Sequence, residues 1–319
     1  MAIERVAVIG AGEWGTALAQ AAATAGRQVM LIGRDAEVLA DINRNRLNTK
    51  HLGAQKLSQH ISASSRYSGA DLVILAVPAQ ATRNALAALG SLGEPVVLTA
   101  KGLEHGTLKR QSEILAEMAP NAVPFVLSGP SFATDVAAGR PTAVTLAGQY
   151  DDETEAVAAA LAGPSFRLYA ARDMVGVELA GALKNVYALA AGAVDGANLG
   201  ASARAGLIAR AFAELSRIVP ALGGVAETLG GLAGLGDLTL SCTSPQSRNY
   251  RHGVALGRGE TPSGELAEGV FTAPVALQLA RQAATDAPLI EAVNLLLGGQ
   301  VSIEKIVAGL MSRPLKREN

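Results

Sequence analysis

The feature that most constrains the fold is a glycine-rich turn between a strand and a helix near the start of the chain. Arg5–Ile9 is an apolar run that predicts a buried strand, and Gly10-Ala11-Gly12-Glu13-Trp14-Gly15 follows it directly. The helix-forming stretch Thr16–Ala25 comes next, and a helix beginning near Glu13 would direct free backbone N–H groups at a pyrophosphate. Three glycines at this spacing also occur in tight turns that bind nothing. Their place at the first strand-to-helix turn favours a dinucleotide site, in which Gly10 turns the chain, Gly12 admits the phosphate and Gly15 lets helix and strand pack closely.

Strand-like and helix-like segments alternate through the first half of the chain. The strand-like segments are Arg5–Ile9, Gln28–Ile32, Asp71–Val77, Pro95–Thr99, Pro124–Leu127, Thr142–Ala147 and Phe166–Tyr169. Continuous apolar strands separated by helical patterns are typical of a parallel sheet that is covered on both faces.

From about Asp173 onward the strand patterns disappear and helical patterns take over. The helical segments are Val175–Val194, Ser202–Leu222, Pro274–Thr285, Leu289–Leu297 and Ile303–Leu310. The sequence therefore predicts an α/β protein with a Rossmann-type doubly wound sheet in residues 1–172 and an all-helical domain in residues 173–319. The active site should lie between the two, outside the carboxyl ends of the strands.

The end of the second predicted strand bears on cofactor choice. An NAD site usually has an acidic residue here, about 20 residues beyond the glycines, to bind the ribose hydroxyls. This chain has Arg34 instead, which suits a 2′-phosphate, and Asp35 follows it. The sequence favours NADPH over NADH, while Asp35 leaves NADH open.

One lysine stands in an otherwise uncharged segment. Leu179–Val194 contains Lys184 as its one charged residue, and the neighbours three and four positions away on a helix cannot pair with that charge. Burial favours the neutral form of a lysine, which suits it to acid/base chemistry near neutral pH. The alternative is a lysine that extends its ammonium group into solvent.

A second polar cluster follows in the helical half. Asp237 comes after a glycine-rich run, Gly231–Gly236, which suggests a backbone shaped to position that carboxylate. An ordinary helix N-cap would also explain it. Ser247-Arg248-Asn249 resembles a phosphate-binding group, because a guanidinium can bind two oxygens while short polar donors assist. A polar turn is the alternative.

Two further groups follow predicted strands. Lys101-Gly102 comes after the strand that ends at Thr99, and Ser128–Ala133 follows the next strand and could open a helix at Ser131. Both could be plain turns. Their shared edge of the sheet is where ligands bind in such folds.

Composition excludes several classes of function. With 27 Lys and Arg against 28 Asp and Glu, the chain has no broad basic surface for nucleic acid. One cysteine permits no intrachain disulfide, and the four histidines do not fall at metal-ligand spacing, so no metal is expected. No apolar run reaches the ~18 residues of a membrane span. The first residues lack a secretory signal pattern. We expect a cytoplasmic protein.

With these residues in place, the chain closely resembles the bacterial-type NAD(P)-dependent glycerol-3-phosphate dehydrogenases. The resemblance extends over nearly the whole chain, and its two long C-terminal motifs are more specific than the glycine turn. The matching stretches are Gly10–Ala19, Ala100–Gly102, Leu127–Ala133, Gly176–Gly192, Gly231–Asn249 and Leu310–Lys316.

The resemblance implies reversible reduction of dihydroxyacetone phosphate to sn-glycerol 3-phosphate by NADPH or NADH, for phospholipid synthesis. It implies that Lys184 is the general acid/base and that Asp237 tunes it and contacts the substrate. The substrate would be bound by Lys101, Gly129, Ser131, Lys184, Asp237, Ser247, Arg248 and Asn249. The cofactor would be lined by Gly10, Gly12, Glu13, Trp14, Gly15, Arg34, Lys101, Ala133, Arg248, Leu266 and Glu268. A homodimer would also fit the family.

Two other functions remain open on the residues. A β-hydroxyacid dehydrogenase would share the two-domain plan and a catalytic lysine on a helix, but would not need the phosphate-binding group at Ser247–Asn249. A non-catalytic NADPH sensor would keep Gly10–Gly15 but would have no reason to bury Lys184.

Overall fold

The computed structural model describes residues 2–299 and 301–312. The strands of these ranges form one eight-stranded sheet in the order β3-β2-β1-β4-β5-β6-β7-β8. They are β1 (Arg5–Ile9), β2 (Gln28–Ile32), β3 (Ile61–Ser64), β4 (Leu72–Leu75), β5 (Pro95–Leu98), β6 (Val123–Ser128), β7 (Thr142–Gly148) and β8 (Phe166–Ala171). The strand order reverses between β1 and β4, which creates the crevice where doubly wound sheets bind nucleotides.

Helices cover both faces of the sheet and make up the second half of the described chain. In the first half they are α1 (Glu13–Thr24), α2 (Ala36–Asn45), α3 (Thr49–Leu52), α4 (Thr82–Leu89), α5 (Gln111–Met118), α6 (Ala133–Ala137) and α7 (Asp151–Leu161). In the second half they are α8 (Met174–Gly196), α9 (Ala201–Ala221), α10 (Asp237–Thr243), α11 (Arg248–Gly257), α12 (Glu268–Gln282), α13 (Pro288–Leu297) and α14 (Ile303–Met311). The predicted fold class is confirmed.

The expectation of a uniformly parallel sheet is wrong at one pair of strands. β6 and β7 pair antiparallel, with Val126 opposite Ala147, while β7 and β8 pair parallel to each other. The connection from β6 to β7 contains one short helix, α6. A crossover to a parallel strand usually contains a full helix, whereas residues 129–141 contain only the five-residue α6. β3 was not predicted, because ISAS is short and not continuously apolar.

α8 is the central helix of the second half. Apart from its first two residues and Asp195 it is buried throughout, and it packs on α9, α10, α11 and α12. By length and composition it could cross a membrane, but 89% of its apolar window is buried inside the protein. It is therefore built as a core helix, whose uniformly apolar surface reflects neighbours on all sides.

Two details of the sequence prediction need correction. α12 begins at Glu268 and continues through Pro274, so the proline does not start it. α6 begins at Ala133 with Phe132 at the N-cap, so Ser131 lies before the helix. The predicted start of α1 near Glu13 is confirmed. The predicted boundary at 172/173 falls between β8 and α8, and the last part of the motif 310–316 lies outside the described residues.

Candidate active site

The glycine turn has the geometry that a dinucleotide requires. Gly10 has φ +115°, and a Cβ there would lie 2.4 Å from the carbonyl oxygen of Ala76. At Gly15 a Cβ would lie 1.8 Å from the Gly10 carbonyl oxygen, whereas at Gly12 it would meet no described atom within 4 Å. Gly12 is the N-cap of α1, and no described side chain caps this helix. The first-turn N–H groups therefore face an open space, and these residues fit a nucleotide phosphate.

A cleft of about 770 Å³ runs from this turn along the carboxyl ends of β4 and β5 to the helical half. It is lined by residues of both halves, as predicted for a site between them. The residues of the predicted site that line it are Gly12, Glu13, Trp14, Lys101, Ser131, Ala133, Lys184, Ser247, Arg248, Asn249, Leu266 and Glu268. The predicted residues that do not line it are Gly10, Gly15, Arg34, Gly129 and Asp237.

Lys184 meets the cleft from α8 and is held by two side chains of α10. Its Nζ donates to Asp237 Oδ1 at 2.9 Å and to Ser241 Oγ at 2.6 Å. The Lys184 side chain is 9% exposed, so the alternative of a lysine that extends into solvent is wrong. Two of the three ammonium protons are directed at these oxygens, which leaves the third for a group in the cleft.

Asp237 holds a second lysine as well. Lys101, at the end of β5, donates to Asp237 Oδ2 at 2.6 Å and to the Gly129 carbonyl oxygen at 2.9 Å. Burial lowers the pKa of Lys101 to about 8, and the nearby charge of Lys184 acts in the same direction, against the attraction of Asp237. One buried carboxylate therefore aligns two ammonium groups side by side.

The carboxylate is ionised because its partners outweigh its burial. Burial acts to raise the pKa of Asp237, but the charges of Lys101 and Lys184 and their hydrogen bonds hold it below its ordinary value. Its side chain is 1% exposed. The N-cap alternative is wrong, since Asp237 is the first residue of α10 and its oxygens accept from the lysines. The run before it forms a 3-10 turn, Ala226–Gly230, and a π-helical turn, Leu232–Gly236.

Ser241 is a site residue that the sequence analysis missed. It lies four residues after Asp237 on α10, and so on the same face of the helix. Its hydroxyl accepts from Lys184 and donates to Asp237 Oδ1 at 3.4 Å. The i, i+4 spacing from Asp237 was the signal that could have identified it.

The predicted phosphate-binding group, Ser247-Arg248-Asn249, forms the N-cap and first turn of α11 at the cleft. Ser247 is the N-cap, accepting from the Tyr250 N–H at 3.3 Å, and Arg248 is exposed and lines the cleft. Asn249 is buried: its Nδ2 donates to Asn185 Oδ1 and its Oδ1 accepts from the Gly269 N–H, both at 2.9 Å. Asn249 therefore keeps one N–H for a ligand.

The hydrogen bonds of Asn249 continue through Asn185 to the lysine pair. Asn185 Nδ2 donates to the Lys101 carbonyl oxygen at 2.8 Å. Consecutive hydrogen bonds therefore connect Gly269, Asn249, Asn185 and Lys101. This chain ties α11 and α12 to the loop after β5. It fixes the position of Lys101 relative to Lys184.

Close helix packing sets the position of α11 against α8. A Cβ at Gly192 would lie 2.0 Å from the Tyr250 carbonyl oxygen, and one at Gly253 would lie 2.0 Å from the Leu189 carbonyl oxygen. The two helices therefore approach backbone to backbone, which larger residues would prevent. This approach brings the N-terminus of α11 beside Lys184.

Glu268 lines the cleft where α12 meets the segment after β4. Its Oε1 accepts from the Ala79 N–H at 3.0 Å, whereas Oε2 and the nearby Thr272 Oγ1 are buried without a described partner. Burial raises the pKa of Glu268 above its ordinary value, against the Ala79 N–H and the charge of Arg248. Unpartnered buried polar atoms beside the cleft fit a site completed by a polar ligand. Leu266 lies exposed just before it.

Within residues 2–299 and 301–312, no three His, Cys, Asp or Glu side chains gather as a metal ion would require.

Comparisons with known proteins agree with the geometry. Models described as the N-terminus and the C-terminus of NAD-dependent glycerol-3-phosphate dehydrogenase match residues 5–156 and 173–308.

Relatives match over almost the whole chain. The Brucella canis glycerol-3-phosphate dehydrogenase [NAD(P)+] is 50% identical over 99% of both chains. The solved structure of glycerol-3-phosphate dehydrogenase from Coxiella burnetii has a TM-score of 0.91 at 34% identity, covering 98% of this chain and 99% of that one. The Plasmodium falciparum glycerol-3-phosphate dehydrogenase, at 21% identity and a TM-score of 0.86 over 99% and 97% of the chains, shares the fold.

Proposed function

This chain belongs to the NAD-dependent glycerol-3-phosphate dehydrogenase family and is an NAD(P)-dependent oxidoreductase, and we propose that it reduces dihydroxyacetone phosphate reversibly to sn-glycerol 3-phosphate. The observation that carries the proposal is the pairing of Lys101 and Lys184 on one buried carboxylate, Asp237, at the edge of the nucleotide cleft. Together with Arg248, these cations suit a substrate that brings both a phosphate dianion and a carbonyl oxygen that becomes negative as it is reduced.

Lys184 is the general acid in the direction of reduction. As a hydride adds to the carbonyl carbon, the C=O π bond breaks and its electron pair takes a proton from Nζ, which gives the product hydroxyl. Asp237 and Ser241 accept two of the three Nζ protons, which leaves the third for the substrate. In the reverse direction, neutral Lys184 accepts the proton from the hydroxyl.

The substrate phosphate would be bound by Arg248 with Ser247 and Asn249, at the N-terminus of α11. The N–H groups of that helix terminus add a partial positive charge. Lys101, Gly129 and Ser131 complete the pocket, Ser131 Oγ donating to the Gly129 carbonyl oxygen at 3.0 Å.

The cofactor supplies the hydride when it is bound. Its pyrophosphate would lie on the turn at Gly10, Gly12 and Gly15, and Glu13, Trp14, Ala133, Leu266 and Glu268 would line the rest of its site. Arg34 supports a preference for NADPH, because it is exposed at the end of β2 and a guanidinium binds a phosphate well. No metal is needed for this chemistry.

Purified protein, dihydroxyacetone phosphate and NADPH test the reaction through the loss of NADPH absorbance. We expect turnover with this substrate and none with 3-hydroxy acids offered with NADP⁺, which a β-hydroxyacid dehydrogenase would oxidise. Folded protein that binds NADPH but leaves dihydroxyacetone phosphate unreduced would refute the proposal and favour a sensor.

The remaining parts of the proposal concern the cellular setting. We propose a cytoplasmic enzyme that supplies glycerol 3-phosphate for phospholipid synthesis. The test of this supply is the incorporation of label into membrane lipids, which should fall in a deletion strain. Assembly as a homodimer stays a prediction for light scattering to check.

A further inference from the structure

The carboxylate that could have bound the ribose of NADH is already engaged. Asp35 Oδ1 caps α2, accepting from the N–H groups of Glu37 at 3.0 Å and Val38 at 3.3 Å. Asp35 Oδ2 accepts from Lys50 Nζ at 2.7 Å. Both oxygens therefore have partners within the protein, and the charge that would repel a 2′-phosphate is paired.

Lys50 is brought to this point by a segment attached to the glycine turn. It lies on the short helix α3, preceded by Asn48, which is fully buried. Asn48 Nδ2 donates to the Ala11 carbonyl oxygen at 3.1 Å and to Thr16 Oγ1 at 2.8 Å. The position of Lys50 is thus tied to the turn that receives the pyrophosphate.

Lys50 also faces the cofactor cleft. It lines the same cleft as Gly12 and Trp14. Because its ammonium group contacts Asp35, the residue after Arg34, the two cations lie at the carboxyl end of β2, where the adenosine ribose is bound in such folds. The carboxylates that act on Lys50 are Asp35 and, more weakly, Glu37.

We propose that Lys50 determines cofactor specificity, by neutralising Asp35 and by joining Arg34 as the second cation for the 2′-phosphate of NADPH. The inference rests on the proposed function only in taking a dinucleotide as the ligand of this cleft.

The contact with Asp35 leaves Lys50 able to take a second partner. The side chains of Lys50 and Asp35 are 64% and 38% exposed, and ion pairs at that exposure contribute little to stability. A phosphate monoester carries close to two negative charges near neutral pH and three acceptor oxygens. Because a lysine ammonium has three N–H donors, Lys50 can donate to the 2′-phosphate while it stays beside Asp35, and NADH offers no such partner.

Equilibrium titrations of NADPH and NADH without substrate, followed by cofactor fluorescence, test the role of Lys50. We expect Lys50→Ala to weaken NADPH about ten-fold, as for loss of a hydrogen bond to a charged group, and to leave NADH affinity within about two-fold. Lys56→Ala is the matched control, because Lys56 is exposed on the following segment and does not line the cleft. It should change neither affinity.

Asp35→Asn provides the second arm, since asparagine keeps the helix cap and removes the charge. It should tighten NADPH a few-fold and leave NADH unchanged. Weaker NADH binding would mean that Asp35 binds the ribose, and would overturn the proposal. Equal losses of both cofactors in Lys50→Ala, or no loss, would also overturn it. Selective loss of NADPH would support it even if dihydroxyacetone phosphate were not a substrate, so the two proposals fail separately.

Discussion

A buried carboxyl group that contacts α8 predicts how stability depends on pH. Glu214 of α9 is 1% exposed and joins three helices. Its Oε2 accepts from the Leu289 N–H at 3.0 Å, and its Oε1 accepts from the Ile290 N–H at 3.1 Å and the Tyr187 hydroxyl at 3.2 Å. Burial raises its pKa to about 7, although these three donors act to lower it.

The raised pKa sets both the sign and the size of the effect. Because the folded state holds this proton more tightly than the unfolded chain does, the stabilisation is complete below the ordinary value of 4.5 and is lost as the pH rises through about 7. The interval between those two values corresponds to about 3 kcal/mol in the free energy of unfolding.

Glu214→Gln removes the titration while keeping the size of the side chain. Its amide NH₂ would face one backbone N–H, which should cost about 1–3 kcal/mol at all pH values. We therefore expect the wild type to be the more stable protein near pH ~5 and to lose that advantage by pH ~8, as the difference shifts by about 2.5 kcal/mol. Urea unfolding of both proteins across this range measures the difference, in which other titrating groups cancel. A difference that stays constant with pH would refute the reasoning.

Two further predictions concern the alignment of Lys184. Ser241→Ala should lower kcat about ten-fold or more with little change in KM, since Lys184 loses a hydrogen bond from its charged ammonium group. Ser241→Thr should restore most of the lost kcat. Steady-state kinetics in which KM alone changed would contradict this prediction. Gly253→Ala should destabilise the protein by at least ~1–3 kcal/mol and lower kcat/KM, because its Cβ would meet the Leu189 carbonyl oxygen and push α11 from α8. Gly206→Ala is the control: its Cβ would meet no described atom within 4 Å, and denaturation should find it neutral or up to ~1 kcal/mol more stable.

The sequence predicted the features that depend on interactions between residues close together in the chain. These features are the first strand, the glycine turn and the isolated Lys184. Each can be recognised within about a dozen residues, because strand burial, turn geometry and helix burial act at that range. The reversal of β7 was not predictable in this way, since it depends on how the chain after α6 meets the sheet in three dimensions.

Partners distant in sequence marked the limit of prediction within the site. Lys184 and Asp237 are 53 residues apart, and Asn185 and Asn249 are 64 apart. Their types suggested chemistry, but only the packing of α8 against α10 and α11 determines which atoms meet. The link from Asn249 to Asn185 follows from that packing rather than from any motif. The contact of Lys50 with Asp35 likewise depends on where the segment of α3 lies against the glycine turn and α2.

The turnover of Lys184→Ala tests the central claim most directly. With saturating dihydroxyacetone phosphate and NADPH, we expect kcat to fall by about 10²–10⁴-fold, as for loss of a general acid, while NADPH affinity stays as in the wild type because the glycine turn is untouched. A kcat close to that of the wild type, in folded protein that binds NADPH normally, would contradict the account.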